Sequence, residues 1–161
     1  MWDGRRCDLL IGIPHTGLVS TEWALEFAGM WRNAPPNTFV QLGPEPQIDV
    51  CREKLAQIAL KYNAKHLLFI DSDILPPKDL IYRLMKHNLP IVAGLYARRH
   101  NPPFNEMLLQ ASRIDPKQDR GYVPINEGMY EKGALVECDV VGCGCVLIQT
   151  QVFKEMETPW F

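Results

Sequence analysis

An aspartate pair closes an apolar run near the middle of the chain: "HLLFI" (66–70) leads into Asp71-Ser72-Asp73, then Ile74-Leu75 and Pro76-Pro77. In an extended chain, residues i and i+2 point to the same side. Two like charges so placed repel unless a cation or a shared proton relieves them. One reading is half of a divalent-metal site, with Asp71 and Asp73 as ligands and the phosphates of a bound molecule supplying further oxygens. The other is a solvated loop whose aspartate helps cap the next helix. All-oxygen ligation suits Mn²⁺ or Mg²⁺. The cysteine cluster in "CDVVGCGC" lacks the paired spacing and second ligand pair of a thiolate zinc site, and Cys143 and Cys145 read as small buried residues.

The elements that must position the aspartates alternate between strand and helix. "DLLIGIP" (8–14) is a continuous apolar run of the kind covered on both faces. Ser20 and Thr21 can cap a helix with Ala24, Phe27, Ala28 and Trp31 at helical spacing. "NTFVQLG" (37–43) is a second strand, and Asp49 can cap a second helix carrying Cys51, Leu55, Ile58, Ala59 and Tyr62 on one face. "KHLLFI" is the third strand, Leu80, Ile81, Leu84 and Met85 mark a third helix, and "PIVAGLY" (90–96) is a fourth strand. Residues 97–132 show little periodicity, and a connection of that length is usually functional or disordered, here a candidate lid or acceptor platform. "ALVECDVVGCGCVLI" (134–148) reads as a long β-rich run, and "QVFKEMET" starts another helix. Such alternation implies an α/β fold with a doubly wound, mainly parallel sheet, whose ligands bind beyond the carboxyl ends of the strands. "PHTG", "GPEP", "DSD" and "GLYARR" should then gather along one edge.

Composition narrows the function. The chain has 161 residues, 47% hydrophobic and 22% charged, and fits one domain with a sizeable core. A net charge of −2 without a long basic run argues against a nucleic-acid partner. "MWDGRRCDLLIGIP" reads as a strand rather than a secretory leader, and no stretch has the length of a transmembrane segment. Five scattered cysteines suit a reducing, cytoplasmic setting.

The ordered series of motifs resembles glycosyltransferases of the GT-A fold, family 2-like. "LLIGIPHTG" matches their first strand with its proline-containing turn, "IDVCREKLAQIAL" the helix carrying an arginine, "LLFIDSDILPPKDLIYRL" the strand ending in D-x-D, and "VECDVVGCGCVLIQTQVFKEM" the strand of small residues leading to a helix. The resemblance covers most of the chain and implies one GT-A-like domain. Its nucleotide-binding half would span about residues 1–99 and its acceptor-side half about 100–161. It implies a nucleotide-diphosphate sugar as donor and an acceptor hydroxyl on a glycan, lipid or protein. By the same resemblance Asp73 is the direct metal ligand, while Asp71 faces the ribose or a metal-bound water. Ser72 can donate to ribose or phosphate, Pro14, His15 and Thr16 lie where the nucleobase binds, and Arg52 reaches the diphosphate or base. Arg98, Arg99 and His100 are either diphosphate or acceptor contacts or a solvated basic patch.

Two other readings compete. Haloacid dehalogenase-like phosphotransferases, or other nucleotidyl transferases, also end a strand in D-x-D. In the haloacid dehalogenase family, however, the second aspartate is normally followed by Gly-Thr or Thr-Val on the first strand, whereas here Asp73 precedes Ile74-Leu75 on the third. A non-catalytic nucleotide-sugar binding module on the same fold is the third reading. The catalytic base implied by the resemblance is not in view. Asp139 and Glu137 are the nearest downstream acids, and the family's position for the base lies beyond Phe161, so a truncated or weakly active transferase is expected. Trp160 and Phe161 are exposed apolar bulk unless they fill a groove, meet a second copy of the chain, or pack on further residues.

Overall fold

The computed structural model describes residues 6–15, 17–43, 45–97, 109–126, 128–131 and 133–161. In chain order the elements are β1 (Leu9–Pro14), α1 (Thr21–Trp31), β2 (Thr38–Gly43), α2 (Ile48–Lys61), β3 (His66–Ile70), α3 (Leu80–Met85) and β4 (Ile91–Ala93). They continue with β5 (Ala111–Ile114), β6 (Tyr122–Pro124), β7 (Val140–Val141), β8 (Cys145–Gln149) and α4 (Gln151–Glu155). Two compact units result: one of Met1–Gly94 with Cys143–Phe161, the other of Leu95–Gly142.

The first unit is built on a five-stranded sheet of order β2-β1-β3-β8-β4. Central β1 is buried at every position and pairs in parallel with both neighbours, Leu9 facing Thr38 on one side and His66 on the other. Its unbroken apolar run is what two covered faces demand. β8 enters antiparallel between β3 and β4, Ile70 facing Cys145 and Val92 facing Leu147. The sheet is therefore mixed: parallel on the β2-β1-β3 side, with an antiparallel strand inserted beyond it. Cys51, Leu55, Ala56 and Ala59 of α2 share a core cluster with Leu67 and Phe69 of β3, Val146 and Ile148 of β8, and Phe153 of α4.

Several expectations need correction. The N-cap of α2 is Gln47, without a side-chain bond, and Asp49 lies inside the first turn, where it favours the helix dipole instead. The buried positions of α1 are Trp23 and Met30, one register away from the Ala24/Phe27/Ala28/Trp31 stripe; Trp23 turns inward, where its Nε1 donates to the Asp71 carbonyl at 3.2 Å. Ser20 does cap α1, accepting from the Trp23 amide at 3.0 Å. Within the β-rich run 134–148 two strands form, β7 and β8, divided at Gly142–Gly144. The division between units falls at Gly94/Leu95, and 143–161 returns to the first unit because β8 completes its sheet.

The second unit corrects the aperiodic reading of 97–132. Its three-stranded antiparallel sheet has order β6-β5-β7, with Ile114 facing Tyr122 and Ser112 facing Val140. Strands of two to four residues are too short to display a period.

Trp160 and Phe161 fill a groove of their own chain. The Phe161 ring meets Phe69 edge-on at 5.4 Å, and Trp160 lies 5.0 Å from Phe153. The Trp160 amide also donates to Glu53 Oε2 at 2.9 Å.

Candidate functional site

The carboxyl ends of β1, β2 and β3 share one edge of the first unit's sheet, and Asp71 is the residue immediately beyond β3. Its backbone is fixed on three sides. The Asp71 amide donates to the Gly144 carbonyl at 2.8 Å, extending the β3–β8 ladder by one bond. The Asp71 carbonyl accepts from the Ile74 amide at 3.1 Å and from Trp23 Nε1 at 3.2 Å. Trp23 thus ties α1 to the strand end, and its own ring stacks on Phe27 at 4.9 Å.

The Asp71 side chain is held by α2. Arg52 Nη2 donates to both carboxylate oxygens at 3.0 Å. A close approach makes this reach available: a Cβ on Gly43 would stand 2.5 Å from Cys51 Sγ, so only glycine lets α2 settle on the end of β2. Cys51 Sγ donates to the Gly43 carbonyl at 3.0 Å, and Arg52, the next residue, faces the end of β3. Burial pushes the Asp71 carboxyl above its ordinary value. The Arg52 guanidinium pulls it back down, and the neighbouring Asp73 carboxylate adds to the rise. The Arg52 Nε atom is buried without a hydrogen-bond partner among the described residues.

The remaining sequence-derived residues divide sharply. Ser72 is half-buried and Asp73 exposed, so the second carboxylate faces solvent while the first is clamped. Pro14 ends β1 opposite Gly43. The His15 amide donates to the Gly43 carbonyl at 3.3 Å, and its Nδ1 accepts from the Gly17 amide at 2.9 Å, which ties the ring into its own loop. Thr16, Arg98, Arg99 and His100 lie outside the described residues. Asp139 belongs to the second unit, where Oδ2 accepts from the Ile114 amide at 2.8 Å and its own amide donates to Ser112 at 3.0 Å. That carboxylate fastens the small sheet, as does the Glu137 carbonyl, which accepts from Arg113 Nε at 3.4 Å.

Sequence reasoning did not find Trp23, Gly43 or Gly144 as supports of the pair. A glycine closing β2 beside a helix of small residues is the one signal that was present for Gly43.

No group of three or more His, Cys, Asp or Glu side chains placed to hold a metal ion occurs among the described residues. The donor set at the strand end is two carboxylates one residue apart. Mg²⁺-type ions are commonly held by one or two carboxylates with the rest of the shell from phosphates and water, and that chemistry fits Asp71 and Asp73.

Fold and site define an α/β chain with a mixed five-stranded sheet and an acidic pair at a strand's carboxyl end. No family model matches the sequence, and no curated protein matches it. Among solved structures, the crystal structure of A197 from STIV superposes with a TM-score of 0.62 at 17% identity, over 96% of this chain and 71% of that chain. The likeness establishes a shared fold. No helix among the described residues is long and apolar enough to cross a membrane.

Proposed function

We propose that this chain is a metal-dependent glycosyltransferase of the GT-A kind, taking its sugar from a nucleotide-diphosphate donor. The observation that carries the reading is the division of labour at the end of β3. Arg52 grips Asp71 through both oxygens, while Asp73 stands exposed one residue on. A clamped carboxylate suits orientation of a ribose hydroxyl, and an exposed one suits direct ligation of a divalent cation. The order of elements agrees with the resemblance: a proline-ended strand, a helix bearing Arg52, a strand ending in D-x-D, and a strand of small residues leading to α4.

Sugar transfer expels a nucleoside diphosphate, and charge grows on that group as the glycosidic bond breaks. Mn²⁺ or Mg²⁺ held at Asp73, with Asp71 beside it, would supply charge neutralisation and leaving-group orientation. In this reading Arg52 keeps Asp71 ionised and fixed in direction, against the rise that burial imposes. Ser72 offers its hydroxyl to ribose or phosphate, and Pro14 and His15, at the end of β1, border the base. The acceptor is a glycan, lipid or protein hydroxyl, and Leu95–Gly142 is the candidate acceptor-side unit. Asp139 is committed to the small sheet, so the proton of the acceptor is assigned to no residue described above.

A non-catalytic nucleotide-sugar binder is the second reading, favoured by that commitment of Asp139. Donor hydrolysis separates the two. The chain is incubated with a panel of nucleotide sugars and Mn²⁺, and released nucleoside diphosphate is measured. Metal-dependent release that Asp73→Asn abolishes supports the transferase. Binding of a nucleotide sugar without release supports the binder, and neither binding nor release with any donor overturns both.

A further inference from the structure

We infer that the opposite edge of the same sheet carries a second binding site, for a small phosphorylated polyol. A cleft of about 420 Å³ opens there, within the range of roughly 300–1,000 Å³ of small-molecule sites. It lies where β3 begins and β8 ends, about 17 Å from Asp71 at 3.3 Å per strand residue.

Its floor is a built one. Thr150 is only 5% exposed, and its hydroxyl donates to the Ala64 carbonyl at 2.5 Å. The Thr150 amide donates to the Lys65 carbonyl at 3.0 Å, locking the start of α4 onto the residue before β3. Beside this floor stands His66, whose Nδ1 is buried without a hydrogen-bond partner among the described residues. A buried polar atom left unpaired is costly, so a ligand donor reaching it from the cleft would relieve that cost.

The lining selects the ligand class. Asn63, Asn88 and Gln149 present carboxamides, which pair with hydroxyl groups as donor or acceptor, while Gln151 Nε2 already donates to Glu155 Oε1 at 3.1 Å. No carboxylate lines the cleft, whereas two ammonium groups do. Lys65 is already paired with Asp8 at 3.0 Å, so Lys154, which has no such partner among the described residues, carries the surplus positive charge. The carboxyl end of α2 opposes it with about half a charge, which one full charge exceeds. An oxyanion on Lys154 with hydroxyls against the amides of Asn63, Asn88 and Gln149 fits this lining.

The test is calorimetric titration of the full chain with glucose 6-phosphate, glucose and inorganic phosphate, repeated on Lys154→Met and on Asp73→Asn. Lys154 is exposed, so its replacement leaves the fold intact. Saturable binding of glucose 6-phosphate is expected, tighter than either fragment and unchanged in Asp73→Asn. Lys154→Met should weaken it about ten- to a hundredfold, the worth of one charge-assisted hydrogen bond. Absence of saturable binding, affinity for phosphate equal to that for glucose 6-phosphate, or binding indifferent to Lys154→Met would each overturn the assignment.

Discussion

Replacing Arg52 with glutamine separates the two halves of the strand-end ion pair. The Arg52 side chain is 14% exposed and that of Asp71 is 27% exposed. Breaking one side of a fully buried pair costs about 3–5 kcal/mol, and an exposed pair is worth about 0–1 kcal/mol. A pair with both oxygens engaged and roughly a fifth of its surface in water falls between, so Arg52→Gln should lose about 2 kcal/mol at pH 7.5. The loss must depend on pH. Asp71 is already raised above its ordinary 3.8 by burial, and without the guanidinium it rises further. A carboxyl with a raised folded value contributes stability at low pH and forfeits it as pH climbs through that value. The deficit of Arg52→Gln should therefore be largest at neutral pH and smaller at an acidic pH, where Asp71 takes up a proton. Urea unfolding of both proteins at the two pH values measures this, and a double-mutant cycle with Asp71→Asn should return a coupling of about 2 kcal/mol. A deficit under about 0.5 kcal/mol, or one independent of pH, would refute the claim that the pair is partly buried and charged.

Two further outcomes follow from the same packing. Phe161→Ala removes a ring that meets Phe69 and Phe153, and should cost about 2 kcal/mol in urea unfolding, below the ~3–5 kcal/mol of a fully buried phenylalanine; no loss would mean the terminal aromatics do not occupy the groove. Asp8 is held down to about 2, first by the Asn37 side chain and then by Lys65, so its contribution to stability is present above 3.8 and lost as pH falls through about 2. Asp8→Asn should flatten the acid-unfolding profile in that window, and an unaltered profile would contradict the network around Asp8.

The first unit was legible because its signals are local. Continuous apolar runs marked β1 and β3, Ser20 marked the start of α1, and the stripe through Cys51, Leu55 and Ala59 gave the inner face of α2. Strand direction is not local: nothing in "CVLIQ" says that it runs antiparallel between β3 and β4, since burial on both faces yields the same apolar run either way. The second unit escaped for a different reason, as Ala111–Ile114 and Tyr122–Pro124 are too brief for a period and include Arg113 and Pro124. At the site, the aspartates announced themselves by type and spacing. The clamp on Asp71 did not, because it depends on α2 settling over Gly43, a contact between residues distant from β3 in sequence. The terminal aromatics were recognised as needing cover, and the cover proved to be Phe69 and Phe153.

Asp73 is the exposed carboxylate proposed to take a divalent ion together with a nucleoside diphosphate. Calorimetry of Mn²⁺ binding, with and without a panel of nucleoside diphosphates, measures this on the unaltered chain and on Asp73→Asn. The account predicts that one nucleotide tightens Mn²⁺ binding in the unaltered chain. It also predicts that Asp73→Asn, which removes an exposed charge and leaves the fold intact, loses that tightening by tenfold or more, about 1.4 kcal/mol. Metal-dependent nucleotide binding of equal strength in the two proteins would contradict it.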